Sequence, residues 1–113
     1  MNVYWMLEVK VNDGKLGDLK SLMDQMVQTS KDEPGTLAYD WTISEDEKTV
    51  HILEHYKDAD AVMAHMGGFA QVAGKFMECV TPAGLVIYGK ADEKIRAAMA
   101  GLNPVYMNPL GGF

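Results

Sequence analysis

The stretch "TLAYDWTISEDEKTVHILEHYKDADAVMAHM", residues 36–66, decides the fold. Residues 36–43 alternate, with Leu37, Tyr39, Trp41 and Ile43 on one side. "SEDEKT" is a polar hairpin loop, and Thr49 to Tyr56 alternates again. Val50, Ile52, Glu54 and Tyr56 share one face of that run, with His51, Leu53 and His55 on the other. Period-two patterning on both sides of a short polar loop is a β-hairpin. The period then changes: Asp58 is a good N-cap, and Val62, His65, Met66 and Phe69 fall at helical spacing. Strand, hairpin, strand and helix in that order are the middle of a split βαβ unit.

Working outward, Val3, Trp5, Leu7, Val9 and Val11 alternate with Tyr4, Met6, Glu8 and Lys10 and predict a first strand. "NDGK" turns the chain and offers Asn12 or Asp13 as an N-cap. Leu16, Leu19, Leu22, Met23, Met26 and Val27 follow at helical spacing until Pro34 and Gly35 stop the helix. Gly67-Gly68 should interrupt the second helix, which resumes through Cys79 over a face that adds Val72, Ala73 and Phe76. A fourth strand is expected after a Pro82-Ala83-Gly84 turn, and Ala91–Ala100 forms a short helix with Gly101 beyond its end. The tail "NPVYMNPLGGF" is too apolar to float freely and should dock.

The expected architecture is an α+β, ferredoxin-like β-α-β-β-α-β fold with an antiparallel four-stranded sheet. It occupies one domain over residues 1–113, with a core at 3–90 and a C-terminal helix and tail at 91–113. Two main helices cover one sheet face. The other would show Tyr4, Met6, Ala38, Leu53, His51 and His55, which suits a homodimer packed sheet against sheet.

Ten basic against sixteen acidic residues give a net charge of −6, which argues against nucleic acid or anionic membrane as partners. Cys79 is the single cysteine, so no intramolecular disulfide forms and a reducing compartment is expected. No apolar run approaches the roughly 18 residues of a membrane span. "MNVYWMLEVKV" carries Glu8 and Lys10 inside its apolar run and lacks a basic leader region, so the expected location is cytoplasmic.

Two polar residues break the apolar pattern. Glu54 stands in the row expected to face the helices, where a carboxylate must find a partner or raise its pKa. It either marks a cavity acid or reaches solvent or Arg96, the only arginine. His65 lies in the apolar stripe of the second helix. It is either a structural histidine satisfied by a backbone carbonyl, or a general base or donor at a cavity. Tyr39 and Trp41 are either core aromatics or flat walls for a planar ligand, and Tyr56 and Tyr88 are weaker versions of the same. His51 and His55 lie about 13 Å apart along a strand, too far to share a metal, and no Cys, His or Asp cluster supports a metal site. Cys79 has no adjacent base, and Gly67-Gly68 lacks the context of a phosphate loop and reads as a hinge.

"EPGTLAYDW", a polar loop and "VHILEHYKDADAVMAHM" together resemble the central signature of the antibiotic biosynthesis monooxygenase domain. That signature is an E-P-G, a Tyr a few residues on, a strand ending in Glu-x-aromatic, an Asp-rich cap and an Ala-x-x-x-His helix. The resemblance covers residues 3 to about 90, and "PVYMNPLGGF" is similar to the tail of some members. It implies a dimeric α+β barrel with a cavity in each subunit between helices and sheet. Haem-degrading members carry a Trp where His65 stands and a haem-ligating His where this chain has Lys75, a departure that removes the iron ligand. The resemblance thus implies a cofactor-independent monooxygenase acting on a small phenolic or quinol-like substrate. His65 is its base or donor and Glu54 the orienting partner; Tyr39, Trp41, Tyr56, Met66 and Phe69 hold the substrate. The alternative is a non-catalytic dimer on the same fold that binds a small metabolite or serves in stress.

Overall fold

Strand β1, Val3–Val11, buries Val3, Trp5 and Val9 on one face, as its alternation requires. The computed structural model, which describes residues 2–113, continues with helix α1, Leu16–Lys31, and strands β2, Thr36–Ile43, and β3, Thr49–Tyr56. Helices α2, Ala59–Phe69, and α3, Ala73–Cys79, lead into β4, Val80–Gly89. Helix α4, Glu93–Met99, and a short strand β5, Val105–Met107, complete the chain. The sheet order is β2-β3-β1-β4-β5. The first four strands pair antiparallel in the ferredoxin-like arrangement, and β5 adds parallel to β4. The sheet is therefore mixed and five-stranded, not the antiparallel four-stranded sheet expected. It is also open, with β2 and β5 at its edges, and does not close into a barrel within the chain.

Several local expectations are corrected. Helix α1 is preceded by Lys15, whose side chain makes no cap; Asn12 instead ties the end of β1 to α3 and β4, donating to Glu78 O and accepting from Thr81 Oγ1. Gly67 and Gly68 lie inside α2, and the chain breaks only at residues 70–72. There, tight bonds from Gln71 N to Gly68 O and from Val72 N to Phe69 O replace the α-helical ladder. Pro82-Ala83-Gly84 is no turn but part of β4, with a register shift opposite Glu8 and Val9. Proline is tolerated because β5 pairs only with Val86–Tyr88, so nothing on that edge needs its missing N–H. Asn103, not Gly101, takes the left-handed position after α4. A register shift between Thr36 and Ala38 turns Leu37 out to solvent. The tail docks through Val105–Met107, whereas Leu110 and Phe113 are fully exposed.

Helices cover one sheet face, but the core beneath them is two clusters. One joins Val3, Trp5, Tyr56, Val62, Leu85, Ile87 and Ile95 under α2 and α4. The other joins Val9, Leu19, Leu22, Val50, Ile52, Phe76 and Val80 under α1 and α3. Leu7 touches both. The seam between the clusters is where space is left.

Candidate functional site

A cavity of about 250 Å³ occupies that seam. Trp5 and Leu85 come to it from one cluster, and Met26, Ile52 and Phe76 from the other. Exposed Met77 and Leu102 stand at its rim, so the mouth lies between α3 and the end of α4. Its walls are apolar except where Glu54, His65 and Tyr39 reach it.

Glu54 is carried there by strict alternation: Val50, Ile52, Glu54 and Tyr56 are all buried on the helix-facing row of β3. Asp58 accepts from Ala61 N at 2.8 Å, starting α2 so that its buried stripe Ala61, Val62, His65 returns over that row. The result is a short polar chain. Tyr56 Oη donates to Glu54 Oε1 at 2.5 Å, and the same oxygen lies 3.3 Å from His65 Nε2. His65 Nδ1 lies 2.9 Å from Glu33 Oε1, which also accepts from Thr36 Oγ1 at 2.8 Å. The imidazole is flanked by the rings of Tyr39 and Tyr56, at 5.5 and 5.2 Å between centroids.

The protonation of this chain follows from its geometry. Both ring nitrogens of His65 face carboxylate oxygens, which only accept. A neutral imidazole would turn a lone pair toward one of them, whereas an imidazolium gives each an N–H. Burial opposes that charge, but the hydrogen bonding and charge of Glu54 and then of Glu33 outweigh it, and the His65 pKa is raised above 6.5. Burial raises the Tyr39 phenol far above its usual range, and the Glu54 carboxylate adds to the effect. Tyr56 is raised further by the same two causes, so both stay protonated.

Of the residues singled out in the sequence, Glu54, His65, Tyr39, Met66 and Phe69 line the cavity together. Trp41 and Tyr56 do not. Trp41 meets Phe76 edge to face at 6.0 Å and faces α1, with its indole Nε1 buried and unpartnered. Tyr56 is fully buried behind Glu54. Arg96 is not the partner of Glu54: it donates to Ala91 O and stacks over Tyr106 at 3.9 Å. His65 is satisfied by side chains, not by a backbone carbonyl. His51 pairs with Glu8 at 2.8 Å on the outer sheet face. Among the described residues no group of three or more His, Cys, Asp or Glu stands where it could hold a metal. The sequence reading missed Glu33 as a member of this chain; its only signal was its place in the E-P-G stretch.

The fold agrees with known proteins over most of its length. MupZ from Pseudomonas fluorescens superposes with a TM-score of 0.88 at 19% identity, covering 99% of this chain and 93% of that one. Rv0793 from Mycobacterium tuberculosis gives 0.72 at 22% identity, covering 82% and 98% of the two chains. SnoaB, a cofactor-independent oxygenase from Streptomyces nogalater, gives 0.69 at 15% identity, covering 80% and 94%. No curated protein matches the sequence. A family model described as antibiotic biosynthesis monooxygenase matches residues 2–73, which hold the strands and helices that build the Glu33–His65–Glu54 chain. With well over half of its length inside that match, the chain belongs to the antibiotic biosynthesis monooxygenase family.

Proposed function

We propose that this protein is a cofactor-independent monooxygenase acting on a small phenolic or quinol-like aromatic. The observation that carries the reading is a buried carboxylate–imidazole pair, Glu54 and His65 at 3.3 Å, on the wall of an otherwise apolar cavity. Family membership and the fold shared with an oxygenase of this type support it. Glu54 takes the phenolic proton, which weakens its hold on Nε2–H, and the imidazolium of His65 then donates that N–H to the phenolate that forms. The phenolate gives an electron to dioxygen, and the resulting pair recombines at a ring carbon bearing hydrogen. The peroxide anion takes back the proton held by Glu54, and the hydroperoxide loses water by breaking its ring C–H and O–O bonds, so one oxygen atom stays as the quinone carbonyl and the other leaves as water. Tyr39, Met66 and Phe69 supply the flat apolar wall that orients the ring and keeps water away.

The same reading takes residues 1–113 as a single domain that works as a pair. Tyr4 and Leu53 are each about half exposed on the outer sheet face, around a hollow of about 460 Å³ that Met6, Ala38 and Tyr88 also line, and half-exposed Val105 and Met107 lie beyond it on β5, opposite Val86 and Tyr88. That is too much apolar surface for bare solvent and fits a second copy packed sheet to sheet. Among the described residues no helix is long and apolar enough to cross a membrane. Light scattering that found a stable monomer at micromolar concentration would overturn the pairing.

Oxygen uptake and product mass, measured with menadiol-like quinols and simple polyphenols, test the activity. The wild type should consume oxygen, and Glu54→Gln and His65→Ala should each lose about a hundredfold or more of kcat/KM. Undiminished turnover in His65→Ala removes that residue from the chemistry. Tight retention of phenols without oxygen uptake would make the protein a metabolite binder instead.

A further inference from the structure

Two pieces of the sequence signature meet twice in space. Ala61 packs so closely on Gly35 that a Cβ there would stand 2.4 Å from the Ala61 Cβ. One turn further along α2, His65 Nδ1 meets Glu33 Oε1 at 2.9 Å. Thr36 holds the same carboxylate oxygen from the far side at 2.8 Å. The two carboxylates flanking His65 are unequally hydrated, with the Glu33 side chain 19% exposed and the Glu54 side chain 7%. Glu33 also borders a second cleft of about 130 Å³, formed with Thr29, Ser30, Gly68 and Gln71. Of the two, only Glu54 lines the main cavity.

We propose a division of labour between the two: Glu33 is a positioning residue, the counter-ion that holds His65 by Nδ1 and so aims Nε2 at Glu54 on the cavity wall. Glu54, the one of the two that lines the main cavity, is left as the carboxylate that meets the substrate. The catalytic meaning of this rests on the reading of His65 and Glu54 given above, while the Glu33–His65 contact has consequences of its own. The titratable groups facing the imidazole are Glu33 before β2, Tyr39 on β2, and Glu54 and Tyr56 on β3. Both phenols stay neutral, so the charge on His65 answers to the two carboxylates.

The test is the titration of His65 in the whole chain, followed by the ¹⁵N shifts of its ring nitrogens and assigned with His65→Gln. In the wild type both nitrogens should carry protons at neutral pH; a neutral tautomer there overturns the proposal without any variant. Glu33→Gln keeps an oxygen for Nδ1–H and for Thr36 but removes the charge. Its His65 midpoint should fall by about one pH unit, a tenfold change. Asp32→Asn, which removes an exposed neighbouring carboxylate, should leave the midpoint where it is. A folded Glu33→Gln with an unshifted His65 refutes the assignment. Because no substrate is present, a failure to find phenol turnover leaves this result standing. An active enzyme with an unshifted His65 would sink the role of Glu33 alone.

Discussion

Gly35→Ala perturbs the contact on which the site is registered. The new Cβ would lie 2.4 Å from the Ala61 Cβ, and ordinary contact begins near 3.4 Å, so the turn before β2 and helix α2 must separate by about 1 Å. Neither side can yield by rotating, since alanine has no side-chain torsion that moves its Cβ. Overpacking of this kind costs about 1–3 kcal/mol. Taking about 2 kcal/mol, and about 2.1 cal/mol/K of unfolding entropy for each of 113 residues, the Tm falls by about 8 °C. The same movement stretches the 2.9 Å link between Glu33 and His65 toward the limit of a hydrogen bond. Calorimetry of Gly35→Ala, Ala61→Gly and the double variant reads the effect. Ala61→Gly alone should cost about 1 kcal/mol through helix propensity. The double variant should be more stable than the sum of the single losses implies, because the clash it relieves is shared. A Gly35→Ala melting within about 2 °C of wild type, or strictly additive losses in the double variant, would refute the close-approach reasoning.

Two other outcomes follow from the polar chain. The His65 pKa is raised above 6.5 on folding, so its contribution to stability is complete below that pH and is lost as pH rises through the folded-state value. In urea unfolding, the stability difference between wild type and His65→Gln should therefore shrink as pH climbs above 6.5, and a difference that grows would reverse the sign of the argument. Tyr56→Phe removes the donor 2.5 Å from a buried carboxylate oxygen and should cost about 1.5–3 kcal/mol in the same assay; a near-neutral effect would mean that Glu54 is satisfied without it.

Much of this protein is written in local pattern. Strands Thr36–Ile43 and Thr49–Tyr56 have the bounds that alternation predicts, and Asp58 caps α2 where a capping residue was expected. Both follow because side-chain period and N-cap chemistry are properties of a few consecutive residues. Glycine was a poor guide to where α2 ends, since Gly67 and Gly68 keep helical geometry and the break comes two residues later. Pro82 likewise sits in a strand, because only the sheet shows that its missing N–H faces an unpaired edge.

For the site, period two puts Glu54 on the helix-facing row and period 3.6 puts His65 in the sheet-facing stripe of α2, because each period assigns a face. Tertiary structure alone decided what they meet. Glu33 lies 32 residues from His65, and no local period links an acid outside a helix end to an imidazole inside another helix. Their contact depends on the close approach of Gly35 and Ala61, on a β2 register shift, and on the docking of α2 over the sheet. The same holds for Trp41, which shares a strand face with Tyr39 yet looks toward α1 while Tyr39 looks into the cavity. A face is a local property of the chain; what stands opposite it is set by packing.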